Sequence, residues 1–519
     1  SRPTWSSQIE FTLAGIGSAV GLGNIWRFPY LCFRSGGAFL VPYFLMLVVL
    51  GIPLLHMELT IGQYTKRGPI HALAQLCPLL KVGIASVAIS FIMCTYYNVV
   101  ITWALYYLFS SFQVPLPWQG CNNTWNTPNC TDQATNGSYS SPASQEFFYK
   151  MLQQTGGIED AAEIRWDLFL ILVLAWILIY LCIFKGTKST GKVVYLTALL
   201  PYVILIALLV NNVQLPGAIQ GITFFIVPEW DKLLSVEVWV NAAAQIFNSI
   251  GIGFGFLMAM ASYNTFNNNI MDTLTISIVN SLTSILSGFV IFSAFGYMSH
   301  LQGIPVAQLA VDPGLVYVVY PQAFTSMPLP QLWAVLFFSM LLFLGIDSEQ
   351  FAMVEVMVTS LMDQSNQRLL KFFKKKELLV LAVCGIACLL GIPNVTRAGI
   401  YVFQLMDHYT AIVSIMFLAF FEVIGICWLY VNRLSDNLEE MTGKRPSIFF
   451  RLCWQIIAPF LITVILIFSI IQFKPARYEG YVFPPWAQGL GWVIALASII
   501  WIPLATIHTL WVLPGSFVQ

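Results

Sequence analysis

The stretch AVGLGNIWRFPY, Ala19 to Tyr30, places Gly21, Gly23, Asn24, Arg27 and Pro29 inside an apolar run long enough to cross a membrane. In hydrocarbon every unpaired backbone amide or carbonyl costs several kcal/mol, so broken helix persists only where it is buried in protein or lines a watery cavity. The freed groups are potential ligands, carbonyls for a cation and amides for a carboxylate. A second apolar run, QIFNSIGIGFGFLMAMASYNTF, carries Gly251, Gly253 and Gly255 beside Gln245, Asn248 and Ser249. A third, FLGIDSEQFAMVEVMVTSLMD, sets Asp347 next to Ser348 deep in apolar sequence, where an ionisable group is a functional candidate by default. Carboxylate, hydroxyl and carbonyl oxygens together suit a hard cation. The polar clusters lack the Cys/His spacing of a transition-metal site, so sodium is the expected ion. Each feature alone has a plainer reading, close helix packing for the glycines and a structural ion pair for the aspartate.

The elements that must carry these residues are membrane helices. Of the 519 residues 58% are hydrophobic and only 9% charged, against about 25% charged in soluble domains. A net charge of zero gives no basic surface for nucleic acid. Twelve runs reach the roughly 20 apolar residues a span needs: 10–33, 38–62, 82–112, 167–184, 192–211, 238–264, 272–298, 332–362, 377–392, 399–431, 448–472 and 486–512, here spans 1 to 12. Lys66, Arg67 and Lys81 follow span 2, Lys185, Lys188 and Lys192 span 4, Arg368, Lys371 and Lys374 to Lys376 span 8, and Arg433, Lys444 and Arg445 span 10. By the positive-inside rule both termini are then expected in the cytoplasm.

The loop after span 3, residues 113–166, falls outside by the same rule. It holds three glycosylation sequons, at Asn122, Asn129 and Asn136. Cys121 and Cys130 lie in the same loop, where an oxidising compartment permits a disulfide. These features point to a eukaryotic plasma-membrane protein, with residues 1–519 forming one membrane domain and the glycosylated loop within it. The interrupted spans are the first and the sixth. Transporters built from inverted repeats of five spans put their discontinuous helices at such corresponding positions, with cargo at the midplane. No hydrolase elbow, phosphate loop or zinc motif is present in the sequence, so an enzyme is not expected. A channel would need rings of like charge or a filter repeat, and neither is found in the sequence.

At this point VGLGNIWRFPY, the PYFLMLVVLGIPLLHMEL of span 2, YYNVV in span 3, SYNTFNNN after span 6 and LGIDS in span 8 together resemble the neurotransmitter:sodium symporter family. The likeness runs from Trp5 to beyond span 12. It implies an all-α integral membrane fold, that of the leucine transporter: twelve transmembrane helices in a five-plus-five inverted repeat, with helices 1 and 6 unwound at the midplane. It implies sodium (Na+) and chloride (Cl-) as coupled ions and membrane lipid as the surroundings, and leaves a homo-oligomer open.

Carried over residue by residue, the resemblance gives one sodium site from the Ala19 carbonyl, Asn24, Ser249 and Asn280. A second would use the carbonyls of Gly17, Val20 and Leu344 with Asp347 and Ser348. Tyr43, Gln245, Ser249, Asn280 and Ser284 match the family's chloride site, all uncharged, as befits an anion that offsets two nearby cations. Arg27 with Asp407 would be the outer gate, and Arg2 with Asp363, supported by Tyr263 and Glu355, the inner one. The substrate would meet Gly21, Leu22, Gly23, Tyr97, Asn98, Asn248, Ile252, Phe254 and Ser348.

Monoamine carriers of this family place an aspartate where Gly21 stands here. The missing charge favours a substrate that brings its own carboxylate, a small neutral amino acid of the GABA, glycine or proline type. YVFQLMDHY and NRLSDNLEEMTGKRP are most similar to the GABA, taurine and creatine branch, and GIGFGF to the proline branch. Asn248 departs from the family, which usually has an aromatic lid at that position. The alternatives are a creatine-, taurine- or betaine-type or monoamine symporter of the same fold, or a ligand-gated channel-like protein.

Overall fold

The computed structural model describes residues 9, 12, 21–35, 38–76, 82–128, 130–131, 141–153, 155–160, 163–183, 187–264, 272–303, 305–306, 315–325, 328–346, 351–364, 376–429, 433–478 and 481–512. Among these, seven helices are long and apolar enough to cross a membrane: Leu40–Thr65, Val82–Ser110, Trp166–Ile183, Leu274–His300, Gly399–Trp428, Ile448–Ile471 and Pro485–Val512. They correspond to spans 2, 3, 4, 7, 10, 11 and 12. Span 3 is the most enclosed by protein and span 12 the least.

The other five expected spans are not counted among these seven. Span 5 is the helix Thr187–Asn212, with Pro201 inside it, and span 9 the helix Lys376–Leu390. Span 1 begins, among the described residues, with a π-helical turn Gly23–Arg27 that continues as Phe28–Arg34. Span 6 consists of Val236–Ile250 and Phe256–Ala261, and span 8 of Pro330–Leu344 and Phe351–Gln364. The gap in span 6 has a clear local cause. Gly251, Gly253 and Gly255 have φ of 92°, 89° and 82°, a left-handed backbone that β-carbon-bearing residues adopt only at a cost. Every second residue turns the wrong way for a helix, and the chain runs through turns, with Phe254 N–H donating to the Gly251 carbonyl, until the helix resumes at Phe256.

Five further helices fall where the sequence reading places loops: Pro69–Leu76, Ala143–Leu152, Ala218–Ile226, Leu315–Phe324 and Arg433–Thr442. None is long enough to cross a bilayer, so a search for spans passes over them. Ala143–Leu152 and Leu315–Phe324 pack by stacking Phe148 on Tyr317, centroids 6.3 Å apart. The expected disulfide joins Cys121 to Cys130, and Asn122 beside it is exposed.

Two close approaches show how tightly the helices pack. Phe225 of Ala218–Ile226 stacks on Phe292 of span 7 at 4.9 Å. Span 2 lies so close to the second half of span 6 that a β-carbon on Gly62 would stand 2.3 Å from the Met258 carbonyl oxygen. Backbone cannot yield as a flexible side chain can. Gly62→Val is therefore expected to destabilise the protein by about 1–3 kcal/mol or more through overpacking. A lowered melting temperature in detergent checks this, and an unchanged one would show that the two helices can separate freely.

Candidate functional site

Polar side chains from spans 1, 6 and 7 meet in one buried knot. The Asn24 amide nitrogen lies 2.9 Å from both the carbonyl oxygen and Oδ1 of Asn280 and 2.8 Å from Ser284 Oγ. Ser249 Oγ lies 3.0 Å from Asn24 Oδ1 and 2.7 Å from Asn280 Oδ1. Three neutral side-chain oxygens, on Asn24, Ser249 and Asn280, thus converge in a fully buried place. Such a set suits a hard cation. Gln245 belongs to the same knot, its amide donating to the Gly23 carbonyl at 3.0 Å.

The residues expected for the anion surround this knot. From span 2 the Tyr43 hydroxyl faces Ser284 and Ser281 without a formed hydrogen bond. Asn280 Nδ2 is likewise buried with no partner among the described residues. Two unengaged donors facing one place give it a polarity that suits an anion. The residue sets expected for the cation and the anion share Ser249 and Asn280.

The span 6 break is held from behind. Gly253 N–H donates to Glu58 Oε1 at 2.8 Å, and the Phe254 carbonyl accepts from Ser90 Oγ at 2.8 Å. Glu58 is fully buried in span 2, and Glu422 of span 10 faces it. Glu58 and Glu422 were not among the sequence candidates, although each is an ionisable residue inside an apolar run. Glu58 accepts from another span's backbone and Glu422 faces it, which sequence alone does not display.

Arg27 and Asp407, 380 positions apart, form a two-pronged ion pair. Arg27 Nη2 lies 2.6 Å from Oδ1 and Nη1 3.2 Å from Oδ2, with the side chains only 4% and 9% exposed. Tyr96 donates to Asp407 Oδ1 at 3.1 Å, a contact the sequence reading missed, and Trp26 lies beneath the guanidinium at 5.2 Å. In this structure the pair is closed. Of the residues expected for the inner gate, Tyr263 and Glu355 also meet, hydroxyl to Oε1 at 3.4 Å, with Thr359 bridging both.

Of the expected substrate residues, Gly21 opens the described part of span 1 and its carbonyl accepts the Asn24 amide at 3.1 Å. Leu22, Asn98, Ile252 and Phe254 are buried. The Tyr97 ring stands edge-on to Trp26 at 5.6 Å. Asn248 is pinned rather than free: its amide donates to the carbonyls of Ala244 and Ala411, both at 2.8 Å, tying span 6 to span 10. Asn248 Oδ1 and both polar atoms of Asn98 have no partner among the described residues. Leu344 ends the first half of span 8. Gly17, Ala19, Val20, Asp347, Ser348, Arg2, Asn129, Asn136 and the Asp363 side chain lie outside the described residues.

Removing Glu58 would leave the Gly253 amide unpaired and the Glu422 carboxyl alone in the interior. Glu58→Ala is expected to cost about 3 kcal/mol or more. Glu58→Gln, whose amide oxygen can still accept from Gly253 while its nitrogen donates to Glu422, is expected to recover most of that loss. Thermal unfolding of the two purified variants separates the outcomes, and equal losses would remove Glu58 from the support of the break.

Residues 2–513 match the sodium:neurotransmitter symporter family model. The chain is 49% identical over 96% of its length to the sodium- and chloride-dependent GABA transporter ine of Drosophila melanogaster, and spans 54%, about half, of that relative. It is 40% identical to the sodium- and chloride-dependent glycine transporter 2 of Xenopus laevis, matching along its whole length and 70% of that protein. It is 44% identical to the sodium-dependent dopamine transporter of Bos taurus over 99% of this chain and 76% of that one. The crystal structure of MhsT in complex with L-phenylalanine superposes with a TM-score of 0.74 at 25% identity, covering 90% of this chain and 99% of that one. With its two interrupted spans, its neutral oxygen knot and a family match over nearly every residue, the chain belongs to the sodium:neurotransmitter symporter family, whose members are transporters and not enzymes.

Proposed function

We propose that the chain imports a small neutral amino acid, of the GABA, glycine or proline type, across the plasma membrane together with sodium and chloride, by alternating access. The observation that carries this reading is the convergence of Asn24, Ser249 and Asn280 beside a break whose residue 21 is glycine. One sodium ion takes those oxygens with the Ala19 carbonyl. The substrate carboxylate completes its shell and takes the amides of the turn Gly21–Leu22–Gly23, aided by Tyr97, while Asn98, Asn248, Ile252, Phe254 and Ser348 line the rest. A second sodium ion takes Gly17, Val20, Leu344, Asp347 and Ser348. Chloride sits on Tyr43, Gln245, Ser249, Asn280 and Ser284.

Arg27 and Asp407 close over the loaded site from outside, and Arg2 with Asp363, backed by Tyr263 and Glu355, closes it from the cytoplasm. Both termini lie in the cytoplasm, and the loop with Asn122, Asn129 and Asn136 is glycosylated outside. Two sodium ions, one chloride and a zwitterion carry one net positive charge inward, which gains about 2.3 kcal/mol per 100 mV. A tenfold sodium gradient adds about 1.4 kcal/mol per ion, so accumulation on the order of a thousandfold is within reach. The relative from Bos taurus is named for dopamine, but an amine would meet no carboxylate at Gly21. That separates the amino-acid reading from a monoamine one.

The test is uptake of labelled GABA, glycine, proline and dopamine into cells expressing the chain, with sodium and chloride replaced in turn. One amino acid is expected to enter, and its uptake to collapse without either ion. Dopamine uptake instead, or amino-acid uptake indifferent to sodium, would overturn the reading. Asp407→Asn is further expected to lower uptake at least tenfold, because it leaves Arg27 buried and uncompensated, at about 3 kcal/mol or more. Unchanged uptake by that variant would remove the pair from the transport cycle.

A further inference from the structure

Where spans 3 and 4 leave the membrane, their ends and the helix Ala143–Leu152 enclose a cleft of about 520 Å³ that no step of the proposed transport cycle uses. Lys150 reaches into it, with Nζ 4.3 Å from the centre of the Trp125 ring and 5.7 Å from that of Phe147. Asp167, exposed in the first turn of span 4, lines the same cleft from another element. The two opposite charges face one cavity, and neither has an ion-pair partner among the described residues. Partial burial, with Arg165 nearby, draws the Lys150 ammonium below the usual lysine range, against the opposing pull of Asp167.

The depth of the cleft narrows the ligand. It lies at the ends of two spans, Ser110 and Trp166, the level at which lipid headgroups and amphipathic aromatic rings gather. Phe109 and Leu170 line it and are half and two-thirds exposed on the outer face of the helix bundle. A ligand with one negative and one positive group above an apolar tail matches every wall.

We propose that this cleft holds a zwitterionic phospholipid of the surrounding bilayer. Its phosphate lies on Lys150, its ammonium on Asp167 and the Tyr106 ring, and its acyl chains run down Phe109 and Leu170. Such a lipid would fasten the extracellular loop to spans 3 and 4 at the membrane surface.

The experiment is native mass spectrometry of the purified, delipidated full chain titrated separately with phosphatidylethanolamine, phosphatidylglycerol and soluble phosphoethanolamine. Phosphatidylethanolamine is expected to bind most tightly. Lys150→Gln is expected to weaken it about fivefold, the effect of one cation near a membrane surface. Asp167→Asn is expected to abolish the preference over phosphatidylglycerol, and as an independent variant it keeps the proposal testable should Lys150→Gln fail to fold. Equal or tighter binding of phosphatidylglycerol by the unaltered chain, or variants that bind as it does, would overturn the proposal. Phosphoethanolamine binding as tightly as the lipid would also overturn it, in favour of a site for a soluble zwitterion.

Discussion

Each peptide group freed by breaking a helix inside a bilayer has to find a partner within the protein, and the centre of this molecule is arranged around that constraint. The Gly253 amide has Glu58, the Phe254 carbonyl has Ser90 and the Gly23 carbonyl has Gln245. These partners come from spans 2, 3 and 6. The broken segments therefore cannot be positioned until the helices around them have packed, and the close contact at Gly62 fixes the distance at which they do so.

The side chains in the knot are almost all neutral. Asn24, Gln245, Ser249, Asn280 and Ser284 offer dipoles that can turn either an oxygen or a donor toward the interior. Neutral ligands suit ions that must leave again, since a buried full charge would hold a counter-ion strongly in a low dielectric. Full charges appear instead at the rim. Arg27 and Asp407 are almost completely withdrawn from water, with Tyr96 and Trp26 completing their surroundings. Their mutual attraction is weak in water and strong when water is excluded. The pair is consequently favoured once the space beneath it has closed.

Asn248 connects these two levels. At a position where the family usually has an aromatic, its amide bonds to span 10 at Ala411, four residues beyond the aspartate of the outer pair. The π-helical turn His408–Ser414 begins directly after Asp407 and contains Ala411. Such turns shift the register of a helix and occur often at functional sites. Asn248 thus joins span 6 to the segment of span 10 that directly follows Asp407.

Much of this was legible in the chain itself. Twelve apolar runs, glycine clusters in the first and sixth, and sequons beside two cysteines follow from composition and spacing, because hydrocarbon permits so few backbone solutions that an interruption stands out in a single sequence. The resemblance carried by NIWRFPY supplied the pairing of Arg27 with Asp407 and of Asn24 with Asn280, and the structure brings both together. What the chain alone left undecided was the support behind the break, the short helices between spans and the cleft beside Lys150. Glu58 and Glu422 are 364 positions apart in the sequence, and neither has a local partner that would reveal its role. Sequence determines which segments must be buried and where they must break. Only tertiary packing decides which distant group satisfies each freed amide, because that partner is selected by the approach of whole helices.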